Sequence, residues 1–221
     1  VKVVLTRSKD VFVSLNDRAV AANRAGADLF ISIHINSAEN RAANGYSVHL
    51  MGQSSRKDKD LYEYNLNVCK RENSVIKLED DYTTTYEGFD PDNPESVIFM
   101  QLMQNAHLEQ SLDFAVLVEE KMQHGPLAAD RGVWQNPFYV LWKTAMPSAL
   151  VELGFISNTA DLAVLRDKEK RKTIASCLCD AFIIYKQYYD RTLGASFDSA
   201  SSGSSDSSNG SSETEKGSTS S

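Results

Sequence analysis

The chain has 221 residues, 42% of them hydrophobic and 24% charged, with a formal net charge of −7. That composition supports one well-formed core, and the acidic balance argues against a nucleic-acid partner. The three cysteines form no disulfide framework and no zinc-ribbon spacing, and no apolar run reaches the ~18 residues of a membrane span.

Residues 2–6 (KVVLT) read as a strand. Ser14 stands three before Asp17 as a capping start, and Leu15, Ala19, Ala22 and Ala25 follow at helical spacing up to Gly26. In DLFISIHINS, residues 28–37, Ile31, Ile33 and Ile35 alternate with Ser32, His34 and Asn36. The isoleucines are expected to pin this strand into the core, with His34 held at its end. GYSVHLMG alternates as a further strand, with His49 expected at the surface beside Ser47 and Met51. Residues 53–96 are polar and rich in turn signals, with a short helix expected near 58–70. One long helix is expected over 96–123, which leaves His107 solvated in mid-helix and puts His124 at a helix end. GVWQN and FYVLW read as short strands around Pro137, and SALVELGF as a buried strand. Helices follow over SNTADLAVLRD, capped by Asn158 or Thr159, and over 168–189.

Half of residues 196–221 are serine, and this stretch carries −3 of the net charge. It cannot bury enough apolar area to offset its ordering entropy, so 191–221 is expected to be a disordered tail or linker. The chain opens inside a strand pattern without an initiator methionine. The expectation is a fragment of a longer protein. Strands alternating with helices point to the α/β class, with helices on both faces of the sheet.

Two strands carry residues of the wrong kind. Glu152 lies among Leu150, Val151, Leu153 and Phe155, where a carboxylate is costly unless it is paired or liganded. It fits either a salt bridge to Arg131 or Lys143 or a place in a cleft at the strand end. His34 fits either a hydrogen-bonded structural role or metal ligation, with Asn36 on the same face able to orient the ring or a ligand. Brought to one cleft, His34 and Glu152 are the minimum for a metal-bound water and a general base.

Four blocks occur in one order: T-R…D…L…R, S-I-H-x-N, R-G-V, and P-x-x-L-V-E-x-G-F-I-S-N. In this the chain resembles the zinc-dependent N-acetylmuramoyl-L-alanine amidases, the AmiC- and CwlV-like cell-wall hydrolases of the amidase type 3 family. The resemblance runs from residue 3 to about 190, excepting much of 53–96. It implies a three-layer α/β/α sandwich of phosphorylase/hydrolase type around a mixed, mainly parallel sheet. The catalytic domain is then 1–190, with an insertion at 53–96.

The resemblance further implies hydrolysis of the amide between N-acetylmuramic acid and the L-alanine of the stem peptide. His34 matches a Zn2+ ligand and Glu152 the catalytic glutamate, while Asn36 and Arg131 are read as substrate-binding. The family's other zinc ligands, in an aspartate-x-glycine-histidine-glycine motif and on the next helix, match nothing here. They are expected upstream of Val1. Two alternatives stay open: an inactive wall-binding or regulatory module that keeps the fold, and a zinc peptidase of related fold. In some AmiC-like amidases an insertion at this place covers the zinc site until an activator displaces it; Glu72, Glu79, Glu87 and Glu95 are the acidic candidates for such a cover. Expected partners are peptidoglycan, such an activator, and a wall-binding module beyond the serine-rich tail. The expected location is the periplasm or, after secretion, the cell envelope of a bacterium, with a role in cell separation.

Overall fold

Ser14 accepts a hydrogen bond from the Asp17 amide at 2.9 Å and starts the first helix, α1 (Leu15–Arg24). The computed structural model describes residues 1–52, 59–102 and 106–202. Four strands follow in chain order: β1 (Phe30–Asn36), β2 (Tyr46–Leu50), β3 (Asp130–Gln135) and β4 (Ser148–Phe155). They form one sheet in the order β1-β4-β2-β3. The β1–β4 and β2–β3 pairs are parallel and the β2–β4 pair is antiparallel, so the sheet is mixed and mainly parallel. Every residue of β4 is buried, as an interior strand with both faces covered requires.

Between β2 and β3 lie α2 (Lys59–Asn73), a 3₁₀ turn (Ser74–Leu78), α3 (Tyr82–Thr85), α4 (Pro94–Leu102) and α5 (Leu108–Met122). The one-turn helix α6 (Tyr139–Trp142) precedes β4, and α7 (Thr159–Arg166) and α8 (Lys168–Ser202) follow it. Helix α5 packs on β2, β3 and β4 and buries Phe114, Ala115, Val118 and Met122. A second apolar cluster joins Leu15 and Ala22 of α1, Val68 and Cys69 of α2, Phe138 to Leu141, and Leu150 of β4. The sheet is thus flanked by helices, in accord with the expected α/β architecture. The chain divides into a unit Val1–Tyr185 and a second unit from Lys186, which holds the rest of α8.

Two turns need specific chemistry. The Asn158 side chain accepts from the amides of Ala160 and Asp161 and caps α7. The buried Asp161 carboxylate then accepts from Gly45 at 2.8 Å and Phe155 at 2.9 Å, tying the entrance of β2 to the exit of β4. Gly45 has φ +93, and a Cβ there would lie 1.9 Å from the Ala129 carbonyl oxygen. Only glycine fits that close approach.

Several sequence expectations are corrected. Residues 2–6 form no strand, because no described strand offers them a ladder of hydrogen bonds; Val1, Val3, Val4 and Leu5 are exposed. The isoleucines of β1 do not face a core. Ile31, Ile33 and Ile35 are 37%, 60% and 52% exposed, while Ser32 and Asn36 on the opposite face are buried. His49 is buried, since β2 is an interior strand with all five residues covered. The span 96–123 holds two helices: His107 is the N-cap of α5, and its carbonyl accepts the Ser111 amide and hydroxyl. FYVLW contains a helical turn, not a strand; Pro137 and Phe138 lead into α6, which buries Tyr139, Val140 and Leu141 in succession. Helix α8 continues to Ser202, past the expected end at 189, and 203–221 lie outside the described residues.

Candidate metal centre

Register builds the site. His34 of β1 lies opposite Glu152 of β4, and Glu152 lies opposite Ser47 of β2. Directly opposed residues point to the same face, so His34, Glu152, Ser47 and then His49 share one side of the sheet. Helix α2 brings a third group. Glu72 Oε2 lies 3.1 Å from His34 Nδ1, and ligand atoms of His34, Glu72 and Glu152 all fall within 4.8 Å of one another. Glu72 is among the many acidic candidates for a cover, and nothing in the sequence singles it out. A cavity of about 170 Å³ beside this group is lined by Leu15, Arg18, His34, Arg71, Glu72 and Phe138 among others.

Each acid has its own electrostatics. Glu152 is 1% exposed, and among the described residues neither carboxylate oxygen has a hydrogen-bond partner. Burial pushes its pKa up to about 7; the Glu72 charge adds to the rise, while His34 and Arg71 oppose it. Of the two readings of Glu152, the structural salt bridge is not made among the described residues. Lys143 pairs with Glu87 at 3.0 Å, and the Arg131 guanidinium lies 5.3 Å from the centre of the Phe155 ring. Burial also works on Glu72, but the hydrogen bond and charge of His34, with Arg71 beside it, outweigh it and hold that carboxyl below its ordinary value. The far nitrogen of His34, Nε2, is 3.0 Å from Ser32 Oγ, an outer contact of the kind that orients a metal-ligating imidazole.

Asn36 is buried, and its Oδ1 accepts from the Ser37 amide at 2.8 Å and from Arg71 Nη2 at 2.9 Å. Arg131 lies on β3, the strand at the opposite edge of the sheet from β1. His49 belongs to a separate buried relay: Nε2 is 2.9 Å from Ser47 Oγ, and Nδ1 is 3.0 Å from Asn136 Oδ1. That is the connectivity of a serine nucleophile. However, all three residues are buried and burial drives the His49 pKa down to about 4, leaving it a poor base for neutral-pH chemistry. The relay braces the sheet.

The group fits a divalent metal. One imidazole nitrogen and two carboxylates converge, and the two Glu152 oxygens are buried with no donor among the described residues to satisfy them. A nitrogen and oxygen donor set of this kind suits zinc among the common ions.

Residues 1–183 match the family described as N-acetylmuramoyl-L-alanine amidase. The chain is 32% identical over 189 residues to the amidase AmiA of Escherichia coli K12, covering 84% of this chain and 61% of AmiA. It therefore spans about three-fifths of that relative's length. Its fold is similar to the amidase of Clostridium difficile 630 (TM-score 0.57, 21% identity, 84% of this chain and 72% of that one). It is likewise similar to AmiC2 of Nostoc punctiforme (TM-score 0.55, 25% identity, 83% and 72%). A match that runs over residues 1–183, most of the chain, shows that it belongs to the N-acetylmuramoyl-L-alanine amidase family.

Proposed function

We propose that this protein is a zinc-dependent peptidoglycan hydrolase that cleaves the amide between the lactyl group of N-acetylmuramic acid and the stem peptide's L-alanine. It acts in the bacterial envelope, in the periplasm or after secretion, where separation of daughter cells calls for wall cleavage. The observation that carries the reading is Glu152: a buried carboxyl without a partner, across from a histidine that a serine orients.

His34 would hold the zinc with ligands from elsewhere in the protein, and when bound the metal supplies Lewis-acid activation of water and of the scissile carbonyl. Glu152 takes the proton of the attacking water and returns it to the departing amide nitrogen. A carboxyl whose pKa lies near 7 is matched to both halves of that exchange. Asn36 and Arg131 are proposed to contact the glycan-peptide substrate. Among the described residues, no helix is long and apolar enough to cross a membrane.

Glu72 gives the insertion a function. Lying against His34 Nδ1, it would serve the metal as a carboxylate donor in the place that water and substrate need, so α2 acts as a cover that an activator protein displaces. A C-terminal wall-binding module remains part of the proposal.

The test is digestion of purified peptidoglycan by the protein as its gene encodes it, with zinc, with a chelator, and beside Glu152→Gln. Mass spectrometry identifies the products. Free stem peptides beginning with L-alanine, zinc-dependent and reduced about 10²- to 10⁴-fold in the variant, are expected. A wall that binds the protein and stays intact even after α2 is removed would refute the hydrolase and favour a binding module.

A further inference from the structure

Arg71, Glu72 and Asn73 are consecutive, yet each engages a different part of the molecule. Glu72 meets His34. Arg71 Nη1 donates to the Ser37 carbonyl at 2.7 Å and Nη2 to Asn36 Oδ1 at 2.9 Å, with its side chain 46% exposed. Asn73 is buried. Its Nδ2 donates to the Pro137 carbonyl at 2.8 Å, and its Oδ1 accepts the Tyr139 amide at 2.9 Å.

Both Asn73 partners are backbone groups, so no rotation of a side chain can follow Asn73 if α2 lifts; Arg71 also reaches a backbone carbonyl, that of Ser37, but its bond is exposed whereas both Asn73 bonds are buried. The Tyr139 amide opens α6, whose N-cap Phe138 has no side chain able to serve as acceptor, and Asn73 supplies the cap from another helix. The segment it grips is itself fastened to the sheet: the Asn136 amide donates to the Leu50 carbonyl at 2.8 Å, and Asn136 Oδ1 holds His49. By contrast, Glu72 and His34 are 28% and 21% exposed, and an ion pair in contact with solvent holds weakly.

We infer that Asn73 is the positioning residue that holds Glu72 over His34, a latch in which one buried amide clamps the end of α2 to the backbone of residues 137–139. The inference rests on α2 acting as the cover proposed above. The clamp is also reachable from outside the cleft, because Asn73 and Pro137 line a groove of about 410 Å³ that shares its wall with Leu66 and Lys70 of α2.

The experiment is hydrogen exchange of peptides spanning 66–76, with β4 peptides as the internal record of global unfolding. Wild type is compared with Asn73→Ala, Asn73→Asp and Glu72→Gln. Losing two buried bonds speeds exchange over 66–76 roughly 30-fold in Asn73→Ala while β4 stays protected, whereas Glu72→Gln speeds it less than about fivefold. Asn73→Asp keeps the acceptor for Tyr139 but loses the donor to Pro137, so it falls between; it also serves if the alanine variant does not fold. Exchange unchanged in Asn73→Asp, or faster in Glu72→Gln than in the Asn73 variants, overturns the latch. In the same samples, modification of His34 by diethyl pyrocarbonate reads the cover separately. Faster exchange with unchanged His34 reactivity keeps the latch but refutes Glu72 as the shield.

Discussion

Replacing Glu152 with glutamine tests the central feature of the site without any substrate. Burial moves the carboxyl from its ordinary 4.5 to about 7. That displacement corresponds to an added cost of about 3 kcal/mol for the ionised form in the folded state. Below pH 4.5 the group is protonated whether the chain is folded or not, and the cost is absent. As pH rises from 4.5 through 7 the unfolded chain gives up its proton first, and native stability falls by that amount. Glutamine never ionises. It carries only a pH-independent cost of about 1–3 kcal/mol for its own unpartnered amide. The stability of Glu152→Gln relative to wild type should therefore improve by about 3 kcal/mol between pH 4.5 and pH 8. Urea unfolding of chelator-treated protein at those two pH values measures the difference. Parallel stability curves for the two proteins would refute a desolvated, unpaired Glu152.

The buried His49 predicts the opposite slope: burial lowers its pKa to about 4 against the pull of Asn136, so wild type loses stability as pH falls from 6.5 through 4. In His49→Gln about 3 kcal/mol of that acid sensitivity disappears, as read from urea midpoints; an unchanged slope would place the ring in solvent. Asp161→Ala strands the Gly45 and Phe155 amides and should cost about 2–5 kcal/mol, measured by the same unfolding assay. A loss under about 1 kcal/mol would mean that this carboxylate does not join the two strands. Gly45→Ala should lower stability by more than about 3 kcal/mol, since its Cβ meets backbone and not a movable side chain. An unchanged melting temperature would contradict the pairing at the start of β2.

Much of the site was legible in the residues because strand alternation is local. A histidine or glutamate in an apolar run declares itself, and His34 and Glu152 were found that way. The Ser14 and Asn158 caps are equally local, each set by a side chain and an amide two or three residues on. What alternation could not say is which face of β1 is covered. The period names two sides, but burial depends on what packs against each, and here it is the serine and asparagine side that is buried while the isoleucines are exposed. His49 was misplaced for the same reason: its neighbours in sequence are those of a surface strand, and its burial comes from strands on both sides.

Glu72 shows the limit most clearly. It lies 38 positions from His34 along the chain, in a polar stretch of many acids. Nothing periodic distinguishes it from Glu79, Glu87 or Glu95. Its contact with His34 comes from where α2 ends, and there Asn73 makes hydrogen bonds to backbone groups more than sixty residues away. The sequence by itself determined the family, the α/β alternation and the two residues whose chemistry conflicts with their surroundings. Only the tertiary structure decided which acid meets the histidine, because that contact depends on how distant segments close on one another.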